Sequence, residues 1–313
     1  MLGFVGRRIV TGVGLIATLA TLTFFLLQFG STDTARRIAG QAATEDAVNV
    51  VKERLGLDQP VLVRFWDWVT AAVHGDFGKS WFSGQDVVEA VTTRMQVTVT
   101  LAVGSVVLTA LIAVVLGALA ATRRGWLDRA VQVLSVIGQA IPGFLVALVL
   151  VLIFAIRLDW FPATGYTKPS DDVGQWLLSI ALPITALTIG SIGGVAQQVR
   201  GSMLDAFERD YVRTLRSRGL PHRTVVYKHV LRNAAGPALS ILGLQFVILL
   251  GGAVIVEQLF SIPGIGPAAL SATSQGDIPV VMGIVVLTGL IVILVNTLVD
   301  VAQAWVNPKV RLS

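Results

Sequence analysis

Six uncharged, mostly apolar stretches divide this chain, and the segments between them hold its charged side chains. The stretches cover residues 9–30, 97–121, 130–156, 176–199, 234–256 and 278–299. An α-helix rises about 1.5 Å per residue and a bilayer core is about 30 Å thick, so a helix of roughly 20 apolar residues crosses it. The pattern predicts an all-α polytopic membrane protein with six transmembrane helices.

Composition supports this class and excludes several chemistries. Of 313 residues, 54% are hydrophobic and 14% charged, whereas soluble domains carry about 25% charged residues. The absence of cysteine excludes disulfides, iron–sulfur clusters and Cys-ligated zinc. The three histidines lack the spacing of paired metal ligands, so we expect no metal site. Gly78-Lys79-Ser80 imitates the end of a phosphate-binding loop, but Val73 occupies the position of its first glycine.

Basic residues orient the predicted helices. With the N-terminus inside, 15 Lys and Arg residues fall in cytoplasmic segments and only 2 in short external loops. This excess follows the positive-inside rule and accounts for a pI near 10.0 without nucleic-acid binding. Both termini are therefore predicted in the cytoplasm. The first apolar run follows Arg7 and Arg8 like a signal peptide, yet it is too long for one, so we interpret it as a retained span.

The predicted organisation has three parts. Residues 1–30 form the N-terminus and first transmembrane helix, 31–96 an extracytoplasmic segment, and 97–313 a five-helix core with a cytoplasmic loop at 200–233. Within 31–96, aromatic residues predict a short interfacial helix at 61–73. The segment either covers the bundle or docks an external partner, and the sequence leaves both open.

The loop 200–233 predicts a short, separately capped cytoplasmic helix between the fourth and fifth spans. Asp210 suits an N-cap, residues 211–218 contain no helix breaker, and Gly219 suits the left-handed position after the helix. One face carries an apolar stripe, and arginines cover the rest. Because two turns are unstable alone, we expect the stripe to dock in a groove of another protein. Its residues are Tyr211, Val212 and Leu215.

Five residues are candidates for the pathway or its gates. Pro142 interrupts the third span and predicts a kink. Glu257 ends the fifth span at its outer end, where we expect contact with water, and Asn296 lies in the sixth. Pro263 and Gly264 lie in the external loop 258–277, which contains no basic residue and predicts an outer gate or wall. We expect the Gly190 and Gly194 pair to serve close helix packing.

Short motifs are spread along the chain in a distinctive order. They are Leu55-Gly56-Leu57-Asp58-Gln59-Pro60, Gly75-Asp76-Phe77-Gly78, Trp160-Phe161-Pro162, Asp210-Tyr211-Val212-Arg213-Thr214 with Gly219-Leu220, Leu231-Arg232-Asn233-Ala234, Gly243-Leu244-Gln245 and Pro263-Gly264-Ile265-Gly266. With these motifs in their order, the chain resembles the permease subunit of bacterial oligopeptide/dipeptide ABC importers over nearly its whole length. The chain departs from the general loop pattern Glu-Ala-Ala-x3-Gly, and its terminal Asn307-Pro308 replaces an Asp-Pro pattern.

The resemblance implies a non-catalytic inner-membrane subunit that forms half of a peptide pathway. Its implied partners are a second homologous permease, two cytoplasmic ATPases that bind ATP and Mg, and an extracytoplasmic substrate-binding protein. It assigns ATPase coupling to Asp210, Tyr211, Val212, Arg213, Thr214, Leu215, Gly219 and Leu220. The pattern at 213–215 is Arg-Thr-Leu instead of Glu-Ala-Ala.

Alternative functions remain open at this stage. Cargo of the same family includes nickel chelates and other small solutes, and no residue pattern separates them from peptides. A secondary transporter or channel without ATP would need charged or paired polar residues near span centres, which the six stretches lack. An intramembrane enzyme would need a catalytic pair on facing spans, and only scattered Ser and Thr are present.

Overall fold

The computed structural model describes residues 2–28, 31–40, 42–123 and 125–306. Position 30, the predicted end of the first span, lies outside them. So do Asn307-Pro308 and three of the basic residues used for orientation, Arg124, Lys309 and Arg311.

The described residues fold into thirteen α-helices and no named strand, so the predicted all-α class is confirmed for them. The helices are α1 Leu2–Gln28, α2 Ser31–Ala39, α3 Glu45–Arg54, α4 Val61–Val73, α5 Val87–Thr122, α6 Trp126–Ala140, α7 Gly143–Leu150, α8 Val173–Phe207, α9 Asp210–Ser217, α10 His222–Thr224, α11 Leu231–Leu259, α12 Ile265–Gln275 and α13 Ile278–Val306. Two π-helical segments, Val151–Arg157 and Val225–Val230, continue α7 and join α10 to α11.

Five helical segments of the described chain are long and apolar enough to cross a membrane, and a bent pair raises the count to six. The five are Gly6–Gln28, Val87–Thr122, Val173–Phe207, His222–Leu259 and Ile278–Val306. The second to the fifth extend beyond the apolar runs because polar residues continue their helices. The predicted number of six holds when the bent pair counts as one span.

The bent pair is Trp126–Ala140 with Gly143–Arg157, and its two arms meet at 95°. The kink predicted at Pro142 is therefore present, and the third predicted span, 130–156, corresponds to this bent pair rather than to one continuous helix. Ile141 is extended, with φ −85° and ψ 121°, because the proline ring disfavours helical geometry in the preceding residue. Pro142 then begins α7 with φ −58°.

The chain divides into two compact units. One comprises the chain up to Val97 together with Pro263–Leu294, and the other comprises Thr98–Ile262 with the residues from Val295 onward. In the first unit, Phe24 of α1 packs edge-on against Phe65 of α4, with ring centroids 5.3 Å apart. This contact helps to fold the segment after the first span, and α4 has the bounds that the sequence predicted.

In the second unit, a glycine lets two helices approach closely, at a different position from the predicted one. A Cβ on Gly193 would lie 2.6 Å from the carbonyl oxygen of Ser135, so α6 and α8 touch backbone to backbone there. A Cβ on Gly190 would meet nothing within 4 Å, and one on Gly194 would meet only Gln139 at 3.9 Å. The packing assignment of Gly190 and Gly194 within this chain is therefore wrong, and Gly193 takes that role.

Candidate functional site

Helix α9 forms where the coupling helix was predicted, but its N-terminus differs from the prediction. The helix covers Asp210–Ser217, and Arg209 is the N-cap, with φ −73° and ψ 144° and no side-chain capping hydrogen bond. The N-cap assignment of Asp210 is therefore wrong by one position. Asp210 instead lies in the first turn, where a carboxylate interacts favourably with the helix dipole.

The C-terminus of α9 ends as the sequence predicted. Gly219 adopts φ +77°, in the left-handed region. The Gly219 N–H donates to the Arg216 carbonyl at 2.9 Å, and the Leu220 N–H donates to the Leu215 carbonyl at 3.3 Å. These two bonds define a Schellman motif, which satisfies carbonyls that the end of a helix leaves without partners.

The apolar stripe of α9 packs on its own chain, so Val212 is not available for the docking in another protein that the sequence predicted for the stripe. Val212 is fully buried in a cluster that includes Met203, Val225 and Val230. Tyr211 and Leu215 are half-buried against the same cluster. This packing provides the stabilisation that a two-turn helix lacks by itself.

The exposed face of α9 is basic. Arg213, Arg216 and Arg218 are all exposed, as is Thr214. Arg213 and Asp210 approach to 4.0 Å, but their side chains are 82% and 98% exposed, so this ion pair contributes little to stability. The Arg216 guanidinium lies 5.9 Å from the centre of the Phe207 ring. The side chains that remain available to a partner are therefore arginines rather than the apolar stripe.

Two further contacts hold the surroundings of α9. The Asn233 side-chain amide donates to the Tyr211 hydroxyl at 3.1 Å and ties α9 to the start of α11. The Arg200 guanidinium on α8 forms a two-point ion pair with Asp128 on α6, and its Nη2 donates to Oδ2 at 2.8 Å. Gln132 donates to the same carboxylate at 3.0 Å.

Sequence reasoning missed the Asp128 and Arg200 pair. The available signal was an acidic residue in a segment otherwise dominated by arginine, which suggests a local partner. The two residues are 72 positions apart, so no local spacing could join them. The pair links α6, and through it the 95° bend, to the end of α8 just before α9.

The predicted pathway residues differ in their exposure and surroundings. Glu257 is 0% exposed, so the expected contact with water is wrong. Its carboxylate accepts a hydrogen bond from the Thr98 hydroxyl at 2.5 Å. Pro142 is exposed at the bend and Asn296 is half-buried in α13. Pro263 and Gly264 precede α12, a helix with buried residues at Ile265, Gly266, Ala268 and Ala272 that occupies part of the predicted loop.

A cleft of about 560 Å³ opens in the second unit, and none of the predicted pathway residues lines it. Its hydrogen-bonding side chains are Gln198, Ser240 and Gln303, and Pro237 and Leu244 are among its apolar ones. Sequence patterns do not reveal this cleft because its residues come from three helices. In the described part of the chain, no three His, Asp or Glu residues are close enough to hold a metal ion.

Comparison with known proteins extends these observations. Residues 113–312 match the family model described as binding-protein-dependent transport system inner membrane component. Residues 1–102 match the model of the N-terminal region of such components. Among solved structures, a chain from "Crystal structure of an amino acid ABC transporter with histidines" has a TM-score of 0.50 and 16% identity, covering 69% of this chain and 93% of that one. That likeness concerns the fold alone.

Full-length relatives share about a third of their residues with this chain. The probable peptide ABC transporter permease protein y4tP of Sinorhizobium fredii is 35% identical, and the alignment covers 98% of this chain and 99% of the relative. A putative peptide transport system permease protein of Brucella abortus is 34% identical over 99% of both chains. The glutathione transport system permease protein GsiC of Salmonella choleraesuis is 37% identical over 99% of both.

These matches confirm the resemblance inferred from the sequence motifs. They imply a multi-pass protein of the bacterial inner membrane that works with ATPase subunits and a substrate-binding protein, and that is not itself an enzyme. Both family models together cover almost the entire chain. The chain belongs to the family of binding-protein-dependent transport system inner membrane components, the permease subunits of ABC importers.

Proposed function

We propose that this chain is the transmembrane subunit of an ATP-driven importer of peptides, and that α9 receives the motion of the ATPases. Both termini and α9 lie in the cytoplasm in this proposal, and the segment after α1 is extracytoplasmic. The chain pairs with a second homologous permease, so that each contributes half of the pathway. The full-length relatives carry peptide or glutathione permease names, which supports peptide cargo.

The observation that carries the coupling role is the division of α9 into two faces. Val212 is fully buried with the apolar stripe on its own chain, while Arg213 and Arg218 are exposed. A helix fixed on one side transmits force to the bundle because its core contacts resist displacement. Its free arginines suit acidic or carbonyl groups on an ATPase surface, since a guanidinium offers five donors in a planar fork.

Three connections of α9 and α8 to other helices give the force a route into the membrane bundle. Helix α9 follows α8 directly, and Tyr211 contacts Asn233 near the start of α11. The Arg200 and Asp128 ion pair connects the end of α8 to α6, one arm of the bent pair. In this proposal, ATP-driven closure of the partner ATPases moves α9, and these contacts change the tilt of α8, α11 and the bent pair together.

The test uses proteoliposomes that contain the complete transporter and its binding protein. It measures binding-protein-stimulated ATP hydrolysis together with ATP-dependent uptake of a labelled tripeptide. The double variant Arg213→Glu with Arg218→Glu should reduce binding-protein-stimulated ATP hydrolysis about tenfold, because two interfacial charges are reversed. Arg54→Glu, an exposed arginine on α3, is the matched control and should act like wild type. Leu215→Asp is a poorer test because it would also disturb the packing of α9 on its own chain.

Two outcomes would contradict the proposal. Full stimulation in the double variant would exclude α9 as the contact with the ATPases. Uptake that proceeds without ATP would favour the rival function, a secondary transporter or channel. A competition series of peptides, glutathione and a nickel chelate tests cargo separately, and inhibition by the chelate alone would replace peptides with the other solute class considered for this family.

A further inference from the structure

The first unit contains a small cavity that no predicted function has used. Its volume is about 240 Å³, and it lies between residues 80–94 and residues 268–280. Ala90, Val91, Ala268 and Ala272 form apolar parts of its lining, and Arg94 is the only cationic residue among the described residues that line it. Pockets that bind small molecules combine such apolar walls with a few converging polar groups.

Arg94 is the unusual member of this lining. It is half-buried on α5, one turn after Ala90. It makes no hydrogen bond or ion pair with any residue in 2–28, 31–40, 42–123 or 125–306. A guanidinium removed from part of its water is best compensated by a carboxylate or phosphate, to which its fork donates two parallel hydrogen bonds.

The one acidic residue in the lining does not serve that purpose. Asp277 is 3% exposed, and both of its carboxylate oxygens have other donors. The Ser80 hydroxyl donates to Oδ2 at 2.5 Å, and the Trp81 N–H donates to Oδ1 at 3.2 Å. Asp277 thus holds the 80–86 turn against the end of α12 and leaves Arg94 available to a ligand.

We propose that this cavity binds the terminal carboxylate of a short peptide, with Arg94 as the group that recognises it. The proposal rests on the proposed function, since it takes the cavity to lie on the extracytoplasmic side and peptides to be the cargo. A volume of about 240 Å³ is below the roughly 300–1,000 Å³ of pockets that hold a drug-sized ligand. The cavity therefore accepts one end of a peptide rather than the whole molecule.

Uncharged polar side chains give the rest of the peptide hydrogen-bonding partners without specifying its sequence. Gln85, Ser83 and Gln275 line the cavity, and all three are exposed at its rim. Amide and hydroxyl groups match backbone N–H and C=O groups, which every peptide carries. The expected contact is weak because few groups take part, and this suits a site that must release its ligand.

The experiment uses the assembled transporter in lipid nanodiscs without its binding protein and without ATP. The probes are trialanine and its C-terminal amide, each at about 10 mM because a site of this size is expected to bind with a millimolar Kd. The readout is hydrogen–deuterium exchange of the backbone amides in residues 78–94 and 265–280. Trialanine should slow exchange there, and the amide should bind at least about tenfold more weakly because it lacks the charged acceptor.

Variants separate recognition from folding. Arg94→Gln should abolish the protection by trialanine, Arg94→Lys should retain part of it, and Arg54→Gln, on the exposed surface of α3, should retain all of it. Unchanged exchange in the variants without probe shows that the fold is intact. Equal protection by acid and amide, or full protection in Arg94→Gln, would overturn the proposal.

Two further results keep this inference distinct from the proposed function. A second measurement adds the peptide-free binding protein instead of trialanine. If that protein slows exchange in an Arg94-dependent way and trialanine does not, the carboxylate that Arg94 recognises belongs to the binding protein, and the peptide site is overturned. Peptide uptake by wild-type transporter without any protection by trialanine would overturn the cavity site while leaving the proposed function intact. Failure of peptide uptake in every form of the transporter would count against the proposed function itself.

Discussion

Helices α9 and α12 end in the same motif but in different surroundings. Gly219 has φ +77° and Gly276 has φ +79°. In α12 the Gly276 N–H donates to the Thr273 carbonyl at 3.2 Å and the Asp277 N–H to the Ala272 carbonyl at 2.8 Å, as their counterparts do in α9. A Cβ on Gly219 would meet open space, whereas one on Gly276 would lie 2.2 Å from the Thr34 hydroxyl oxygen.

The residue after each glycine differs as well. Leu220 packs with Leu215 against the apolar cluster of the second unit, whereas Asp277 is buried and holds the 80–86 turn through Ser80 and Trp81. The same local backbone therefore leaves α9 with an exposed basic face and packs the end of α12 into its unit. A capping motif therefore sets where a helix ends, while the surrounding residues decide whether that end is exposed or buried.

The largest expected effect comes from a substitution on the buried face of α9. Val212→Asp places a charge at a position that is 0% exposed, so we expect a loss of about 4 kcal/mol of unfolding free energy. Chemical denaturation of the purified permease in bicelles measures it. Arg213→Asp, on the exposed face one residue later, should change stability by no more than about 0.5 kcal/mol; equal losses in both variants would refute the two-face description of α9.

The next largest effect tests the difference in surroundings between Gly276 and Gly219. Gly276→Ala should cost about 3 kcal/mol, because left-handed strain of about 1–2 kcal/mol adds to overpacking against Thr34. The same denaturation experiment measures this change. A cost no larger than that of Gly219→Ala would mean that Thr34 moves away freely.

A smaller effect concerns the residue that follows Gly276. Ser80→Ala removes the donor to Asp277 and the acceptor for the Phe82 and Ser83 N–H groups, so we expect a loss of about 2 kcal/mol. Hydrogen exchange should also quicken in residues 80–86. Lys79→Ala, at an exposed neighbouring position, is the control, and faster exchange in that variant alone would contradict the role of Ser80.

The smallest effect is at the end of α9. Gly219→Ala should cost about 1 kcal/mol, since only left-handed strain is added and the new methyl group meets nothing within 4 Å. Gly190→Ala, inside α8 with open space around it, should be neutral or slightly stabilising. Thermal unfolding followed by circular dichroism compares the two, and a stabilised Gly219→Ala variant would exclude strain at that position.

The sequence predicted those features that depend on neighbouring residues. Apolar runs located the spans, aromatic content located α4, and Gly219 marked the end of α9. Predictions failed where a distant residue decided the outcome. Glu257 is buried and accepts a hydrogen bond from Thr98, 159 positions away in the chain, and the close helix contact lies at Gly193, opposite Ser135. The N-cap of α9 is an exception to this rule, because the observed cap, Arg209, is the immediate neighbour of the predicted one, Asp210.

By itself, the amino-acid sequence determined that the chain is helical, that it crosses a membrane several times, and which family it resembles. Those properties follow from hydrophobic length, charge distribution and short motifs, all of which are local. The tertiary structure alone decided which face of α9 stays free, how sharply the third span bends, and that Arg94 lines a cavity without a partner in the described chain. Those properties depend on residues that meet only after folding, when packing and desolvation act on groups far apart in the chain.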